Sequence, residues 1–348
     1  MAFIDLSHVT VVGISAAVPK QNEEIRDIYS QWGDFQNFYS TTGIEQHRVA
    51  PASVCSSDLC IAAAERLLEE LHWSKTEVDA IVFVSQTPDY RLPATSALIQ
   101  SELGLREDCY ALDISLGCSG WVYALSALGA LVETGGIRKA LLLAGDTILK
   151  ICSPADKSTY PLFGDAGTAT ALEYRKNGDV SMKFCFHTDG KGYETIIVRD
   201  GGYRNGTSPH SFDEIPDAHR TRLDLELDGM NVFSFGISKA PQSVNALLEH
   251  TGTDKDTVDY YVFHQANLFM NEKIRKKLKL APEKVPYCLR DFGNTSCASI
   301  PLTLVTQLGE SLRKNNLKLM GCGFGVGLSW GSVLFDTHRI ACPSLIEI

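Results

Sequence analysis

The sequence predicts an α/β protein that is assembled from two copies of one unit. Apolar strand-like runs alternate with segments of helical periodicity, and this order predicts mostly parallel sheets with helices on both faces. A shift of 180 residues aligns 67–83 with 247–263, and eight of these seventeen positions are identical, where chance gives about one. The matches keep the same order of helix, loop and strand, so we infer an internal duplication.

Each element is identified by its periodicity and by the residues that interrupt it. The first strand-like run is stopped by Pro19, which cannot donate a hydrogen bond to a sheet. In chain order the prediction is a strand at 9–14, a helix at 58–72, a strand at 80–84, a helix at 96–103, a buried strand at 111–116, a tight turn at 117–118 that opens a helix, and a strand at 139–145.

The chain is expected to divide into three parts. Residues 1–175 form an N-terminal half, and residues 229–348 form a C-terminal half. Between them, residues 176–228 are rich in glycine, aspartate and arginine and contain short strands such as 194–199, which is typical of a connecting or lid region.

Bulk composition narrows the class of protein and its compartment. A chain of 348 residues that is 44% hydrophobic and 21% charged is an ordinary globular protein with room for a large core. Its net charge of −10 argues against nucleic acid or an anionic membrane as a partner. The ten cysteines form no Cys-x-x-Cys pair, and the first twenty residues lack a basic leader, so we expect a cytoplasmic protein with reduced thiols.

Cys118 is the first candidate for chemistry. It follows an apolar run that breaks at Gly117, and helical periodicity begins directly after it. The first turn of a helix offers free backbone N–H groups and the positive end of the helix dipole, and both stabilise a thiolate nucleophile. From this segment alone, a buried structural thiol is an equally good interpretation.

Three further motifs lie in the second half. His264 follows an apolar strand, at the sheet edge where ligands collect in α/β proteins, although a structural histidine is the commoner case. Asn294 lies in a polar turn before a helix, and a glycine-rich stretch at 321–332 lets backbone approach a ligand closely. The shift of 180 residues sets the Cys118 turn opposite the Asn294 turn, so pseudo-twofold packing of the halves would bring the two turns together.

Together these motifs resemble those of β-ketoacyl-acyl carrier protein synthase III over nearly the whole chain. The residues that carry the likeness are Thr42-Gly-Ile, Gly117-Cys-Ser-Gly, Phe163-Gly-Asp-Ala-Gly, His264-Gln-Ala-Asn, Gly293-Asn-Thr-Ser and Trp330-Gly-Ser. The resemblance implies a thiolase fold, in which two duplicated halves pack as a layered α-β-α-β-α sandwich. It also implies a cytoplasmic homodimer.

The resemblance further implies a decarboxylative Claisen condensation without metal or organic cofactor. Cys118 would accept an acyl group from a coenzyme A or acyl carrier protein thioester. His264 and Asn294 would stabilise the enolate formed from a malonyl thioester. An oxyanion hole would use the backbone of Cys118 and of the loop at Gly325, Val326 and Gly327.

Some positions depart from the family pattern. Asn37 and Lys157 stand where relatives stack a tryptophan and an arginine on the coenzyme A adenine. Either coenzyme A is held differently here, or the acyl donor is carried on a carrier protein. Leu92 stands where relatives have a phenylalanine that lines the acyl pocket from the neighbouring subunit, and this exchange would leave room for a primer longer than acetyl. Val326 replaces a glycine of the oxyanion loop, and its β-branch restricts the backbone there.

A basic cluster on an acidic protein is a candidate dock for an acidic acyl carrier protein. Its members are Lys273, Arg275, Lys276, Lys277 and Lys279. A solvated helix face is the alternative interpretation. Two alternatives to condensation also stay open at this point: an acyltransferase that moves the acyl group to an alcohol or amine, and a non-catalytic subunit of a larger synthase.

Overall fold

Two large sheets organise the chain. The computed structural model describes residues 2–30, 32–177 and 180–348. The strands are β1 (Ala2–Leu6), β2 (Val9–Val18), β3 (Asn22–Glu24), β4 (Gln46–Arg48), β5 (Ala80–Val84), β6 (Tyr110–Ile114), β7 (Lys139–Asp146), β8 (Ala166–Tyr174), β9 (Met182–Thr188), β10 (Ile196–Val198), β11 (Leu225–Leu227), β12 (Tyr260–Phe263), β13 (Asn316–Gly325), β14 (Ser329–His338) and β15 (Ile346–Glu347). The helices are α1 (Ile25–Tyr29), α2 (Phe35–Thr42), α3 (Ser56–Leu71), α4 (Thr95–Glu102), α5 (Gly120–Glu133), α6 (Gly229–Thr251), α7 (Leu268–Leu278), α8 (Leu289–Phe292) and α9 (Ser299–Lys314).

The sheets and helices alternate in five layers. The first sheet has the strand order β15-β2-β8-β7-β5-β6, and the second has the order β1-β9-β14-β13-β12. Helices α5 and α9 lie between the two sheets, α3 covers the outer face of the first, and α6 and α7 cover the second. Helix α5 is apolar on nearly every side because it is packed from both directions, and its Trp121 is fully buried. This confirms the predicted layered α-β-α-β-α sandwich.

The internal duplication is visible element by element. Helix α3, strand β5, helix α5 and strand β7 are repeated about 180 residues later by α6, β12, α9 and β13. Matched side chains also make equivalent hydrogen bonds. Asp79 accepts a hydrogen bond from the backbone N–H of Lys139 at 3.3 Å, and Asp259 accepts one from the backbone N–H of Lys318 at 2.7 Å. Both aspartates therefore fasten the start of one strand to its parallel neighbour.

The strand directions correct the expectation of mostly parallel sheets. Strand β8 is antiparallel to both β2 and β7, and β14 is antiparallel to both β13 and β9. Only short loops join β13 to β14, and a short connection between neighbouring strands forces a hairpin. The sheets are therefore mixed, with parallel pairing confined to β5, β6, β7, β12, β13 and the β2–β15 pair.

Sheet membership also differs from the predicted three-part division. Strand β9 falls inside the predicted connecting region at 176–228, yet it is an interior strand of the second sheet. Strand β1 comes from the N-terminus and pairs with β9, while β15 comes from the C-terminus and pairs with β2. The connecting region therefore begins after Thr188 instead of at residue 176. The N-terminal strand belongs to the second sheet, and the C-terminal strand belongs to the first.

The strand before the Cys118 turn is not buried, which corrects a second expectation. It is β6, the edge of the first sheet, and its Tyr110 and Leu112 are exposed. In the second half, the corresponding residues form α8 instead of an edge strand. Among the described residues, no helix has both the length and the apolar character that crossing a membrane requires.

Candidate active site

One cavity of about 300 Å³ is lined by both halves of the chain. Cys118 enters it from the start of α5, His264 from the end of β12, and Asn294 from the turn before α9. The pseudo-twofold arrangement therefore brings the two turns to one cavity, as the duplication predicts. The remaining walls are largely apolar and include Ile148, Ile151, Phe163, Ile196, Val198, Leu225 and Val232.

The Cys118 thiol is held close to the β13–β14 turn. Gly325 lies so near that a Cβ there would come within 2.8 Å of the sulfur, and only glycine permits this approach. Burial, and after it the carboxylate of Asp146, raise the pKa of Cys118 to about 12. The backbone amides of Val326 and of Cys118 itself act on this pKa in the opposite direction. The expected stabilisation by the helix terminus is therefore outweighed by desolvation, and the resting group is a thiol.

The predicted oxyanion loop is the turn between β13 and β14. Gly325 and Val326 line the cavity, whereas Gly327 is not among the lining residues. Gly327 has a φ of +132°, in the range that favours glycine. The backbone N–H of Val326 faces the Cys118 sulfur. The β-branched valine side chain therefore leaves the hydrogen-bond donor of the loop in place.

His264 is a neutral imidazole. Its side chain is 2% exposed, and burial lowers its pKa to about 3. Its Nδ1 lies 2.7 Å from the hydroxyl of Ser299 at the start of α9. When that hydroxyl donates to Nδ1, the ring proton is on Nε2, and the ring can donate a hydrogen bond into the cavity. The edge of Phe324 packs against the ring with 5.5 Å between centroids, which fixes its plane.

Asn294 is fixed through both its side chain and its backbone. Its Oδ1 accepts the N–H of Ser296 at 2.9 Å, which leaves the amide NH₂ free to donate. Its backbone N–H donates to the carbonyl of Leu162 at 2.8 Å, and its carbonyl accepts the N–H of Gly164 at 3.1 Å. The orientation of the Asn294 side chain therefore depends on the 162–164 segment of the other half.

A buried histidine holds that segment in turn. His47 Nδ1 lies 2.6 Å from the carbonyl oxygen of Phe163, and its Nε2 lies 3.4 Å from Glu23. A carbonyl oxygen only accepts hydrogen bonds, so Nδ1 carries a proton and donates it. Tyr160 also donates to Glu23 at 2.9 Å, and the contact with His47 is the main cause that lowers the pKa of Glu23.

A two-stranded cap of β10 and β11 forms one wall of the cavity. Arg199 donates two hydrogen bonds to Glu226 across this pair, at 2.9 and 2.7 Å. Arg222 donates two to Asp200 beside it, at 2.9 and 3.0 Å. Bidentate pairs of this kind fix relative orientation, so the apolar wall is fastened from its outer side.

The predicted acyl-pocket residue Leu92 lies outside the cavity of this chain. Its side chain is 79% exposed and does not line the cavity wall. Tyr90 and Leu92, both on the loop before α4, are exposed. A role for Leu92 in the acyl pocket therefore requires a second copy of the chain.

Asn37 and Lys157, predicted to bind the thioester carrier, line one groove together. Leu162 lines both this groove and the catalytic cavity, so the two spaces are adjacent. Trp32 was not predicted to belong to this region. Its ring lies 5.9 Å from the Lys157 ammonium, and its backbone carbonyl accepts a hydrogen bond from that ammonium at 3.2 Å. A tryptophan displaced by five positions thus stands beside the predicted cation.

The basic cluster is only partly available to a partner. The Arg275 guanidinium donates to both carboxylate oxygens of Glu272 at 2.8 Å and to the Leu280 carbonyl, so it is not free, contrary to expectation. Lys277 donates to the carbonyl of Ile237 at 3.2 Å. Lys276 is 68% exposed, and Lys273 lies over the ring of Phe269.

Several residues of the site carry no signal in the sequence. Ser299, His47 and Gln86 become neighbours of the cavity only through the fold, because none stands in a motif with the residue that it contacts. Trp32 could have been found, since it is an aromatic residue only five positions from Asn37, which was predicted to contact the thioester carrier.

A cysteine, a neutral histidine and an oriented asparagine at the junction of two duplicated halves are the features of one class of protein, the condensing acyltransferases of the thiolase fold. Comparison with known proteins agrees. The family profiles described as 3-oxoacyl-[acyl-carrier-protein (ACP)] synthase III and as its C-terminal domain match residues 112–190 and 248–337. The beta-ketoacyl-[acyl-carrier-protein] synthase III of Streptococcus agalactiae is 32% identical, over 96% of this chain and 99% of that protein.

Solved structures lead to the same family. The crystal structure of a 3-oxoacyl-(acyl-carrier protein) synthase from Burkholderia xenovorans has a TM-score of 0.94 and 40% identity, and covers 100% of this chain and 99% of that one. The synthase III from Pseudomonas aeruginosa has a TM-score of 0.84 and 27% identity, with 96% and 99% covered. The chain belongs to the 3-oxoacyl-[acyl-carrier-protein] synthase III family.

Proposed function

We propose that the chain condenses an acyl thioester with malonyl-acyl carrier protein, with release of carbon dioxide. In the first half-reaction, the Cys118 sulfur attacks the acyl carbonyl. The donor's carbon–sulfur bond breaks, and its thiol leaves with the cysteine proton. The backbone N–H groups of Cys118 and Val326 lie beside the sulfur and donate to the tetrahedral oxyanion as it forms there.

In the second half-reaction, malonyl thioester loses carbon dioxide and becomes an enolate. Nε2–H of His264 and the amide NH₂ of Asn294 donate to the enolate oxygen as its charge develops. The enolate carbon attacks the acyl carbonyl on Cys118, and the carbon–sulfur bond to the enzyme breaks. One proton is taken up to restore the thiol, so the products are a 3-oxoacyl thioester, carbon dioxide and free enzyme.

The lowered pKa of His264 is the observation that favours condensation over simple acyl transfer. Transfer to an alcohol or amine needs a base, and an imidazole with a pKa of about 3 accepts a proton poorly at neutral pH. A neutral ring is instead a good hydrogen-bond donor to an enolate. Condensation uses this property, as well as the free amide of Asn294.

Single substitutions separate the two half-reactions. Cys118→Ala should give no covalent acyl adduct with any thioester. Asn294→Ala should acylate within about twofold of wild type, but should lose about a hundredfold in condensation, as expected for one oxyanion donor. Intact-mass kinetics and carbon dioxide release measure the two steps. Equal losses in both steps would contradict the division of roles.

We propose that the groove at Trp32, Asn37 and Lys157 receives the carrier of the acyl donor. An aromatic ring next to an ammonium group suits the adenine and phosphates of coenzyme A. The groove shares Leu162 with the cavity, so a pantetheine arm could pass from one to the other. A donor with the same acyl group on carrier protein is the comparison that tests this assignment.

We propose that Lys273, Lys276 and Lys277 dock the acidic acyl carrier protein, without Arg275. Charge reversal at Lys276 and Lys277 to Glu should raise the KM for malonyl-carrier protein and leave malonyl-coenzyme A unaffected. Reversal of Lys314, which lies on α9 and pairs with Glu310, is the matched control. A similar effect of all three reversals would contradict a localised dock.

We propose that two copies of the chain pair along β6 to form the active homodimer. β6 is an unpaired sheet edge with exposed apolar side chains, and such edges are usually covered. The dimer would place Leu92 of one copy near the cavity of the other. Light scattering should give twice 38.2 kDa for wild type, and Leu112→Lys should shift the protein to monomer. A monomeric wild type with full activity would refute it.

All ten cysteines are unpaired, which fits a cytoplasmic enzyme.

A further inference from the structure

Gln86 lines the cavity beside the nucleophile, and the mechanism above does not use it. It directly follows β5, and its amide oxygen lies against Gly117, the residue before Cys118. A Cβ at position 117 would collide with this oxygen, so the glycine is required for Gln86 to occupy its place. The fold thus keeps room for a polar amide next to the reacting sulfur.

The turn that carries Gln86 is held rigidly. The buried carboxylate of Asp146 accepts the backbone N–H of Gln86 at 2.7 Å and that of Thr87 at 3.2 Å. The same oxygen accepts the hydroxyls of Ser85 at 2.9 Å and of Thr87 at 3.1 Å. The Ser56 hydroxyl donates to the Thr87 carbonyl at 2.7 Å. A side chain on such a turn is preorganised for a ligand.

Three other polar side chains of the cavity each have a partner within the chain at one atom. Asn267 caps α7 by accepting the N–H of Met270 at 2.8 Å, and Asn294 and His264 each use one atom to contact a serine. The amide of Gln86 makes no hydrogen bond to any residue within 2–30, 32–177 or 180–348. Gln86 therefore brings an unpaired amide to a cavity with mainly apolar walls, where it costs free energy once water is displaced.

The position of Gln86 indicates which part of the substrate it contacts. It lies in the N-terminal half with Cys118, Ile148 and Phe163, whereas the enolate-stabilising groups come from the C-terminal half. We propose that Gln86 binds an oxygen substituent of the acyl group on Cys118, so that the preferred primer carries a hydroxyl or carbonyl close to the thioester. This inference rests on the proposed acylation of Cys118.

Acylation of Cys118 by butyryl-coenzyme A and by each enantiomer of 3-hydroxybutyryl-coenzyme A tests this assignment. Each hydroxybutyryl donor differs from butyryl by one hydroxyl, and intact-mass measurement gives the acylation rate with each donor. Wild type should favour one hydroxyacyl enantiomer over butyryl by about tenfold, the value of one buried hydrogen bond. Gln86→Met keeps the length of the side chain without hydrogen bonding and should remove the preference. Gln86→Glu keeps an acceptor and should retain part of it.

The ratio of the two rates within each variant separates recognition from folding. The proposal would be overturned if Gln86→Met kept the wild-type ratio of the hydroxybutyryl rate to the butyryl rate, whether or not both rates fell. It would also be overturned if the wild type preferred butyryl over both enantiomers. No adduct from any thioester would instead contradict the proposed function itself. Melting temperatures of the variants show whether the turn is intact.

Discussion

The pKa of Cys118 provides a quantitative test of how the site treats its nucleophile. Burial raises this pKa from 9.0 to about 12. Below pH 9 the thiolate fraction is then about a thousandfold smaller than that of an unperturbed thiol, since each unit is a factor of ten. Alkylation of Cys118 by iodoacetamide should therefore rise about tenfold per pH unit from pH 7 to pH 9, without a plateau.

Asp146 offers a matched perturbation of the same pKa. Its negative charge raises the pKa of Cys118, and the raised pKa depresses the thiolate population at every pH below it. Asp146→Asn keeps an acceptor oxygen for the 85–87 turn but removes the charge, so its alkylation curve should shift to lower pH. Peptide mass spectrometry assigns the modified cysteine, with Cys118→Ala as the background. A plateau below pH 8 in wild type would refute the reasoning, because it would mean that the helix terminus outweighs burial.

Three other substitutions test separate contacts. Ser299→Ala removes the hydroxyl that orients His264 and should slow condensation about five- to tenfold while acylation is unchanged; a fall in the acylation rate would argue against it. His47→Leu removes the donor that holds the segment around Asn294 and should slow condensation by a similar factor. His47→Asn retains a donor near the position of Nδ1 and should recover most of the rate. If the Asn variant is no faster than the Leu variant, packing and not the hydrogen bond is responsible. Trp32→Ala should raise the KM for an acyl-coenzyme A donor but not for the same acyl group on carrier protein, and equal changes for both donors would contradict a nucleotide-binding groove.

The sequence predicts the architecture well where the signal is local or repeated. The identities between 67–83 and 247–263 survive because both copies need the same apolar contacts and the same aspartate at the start of a strand. Strand direction is not encoded in apolar periodicity, so the antiparallel positions of β8, β9 and β14 could not be read from it. The prediction that β6 is buried was wrong for a related reason, since apolar periodicity does not report whether a strand lies at the edge or in the centre of its sheet.

The meeting of Cys118, His264 and Asn294 in one cavity was predictable, but the groups around them were not. Cys118, His264 and Asn294 stand in motifs of their own, and all three line one cavity. The pKa of Cys118 could not be predicted, because its local helix favours the thiolate while residues more than 200 positions away bury it. Contacts such as His47 with Phe163 join residues 116 positions apart, and no local pattern reports them.

The most direct test of the proposed function is a two-stage incubation that is followed by mass spectrometry. Wild-type enzyme is first treated with an acyl-coenzyme A, and malonyl-carrier protein is then added to the isolated acyl-enzyme. We expect the acyl mass on the peptide that contains Cys118, followed by its loss with equimolar carbon dioxide and 3-oxoacyl-carrier protein. An acyl group on another residue, or an adduct that leaves Cys118 without release of carbon dioxide, would contradict the account.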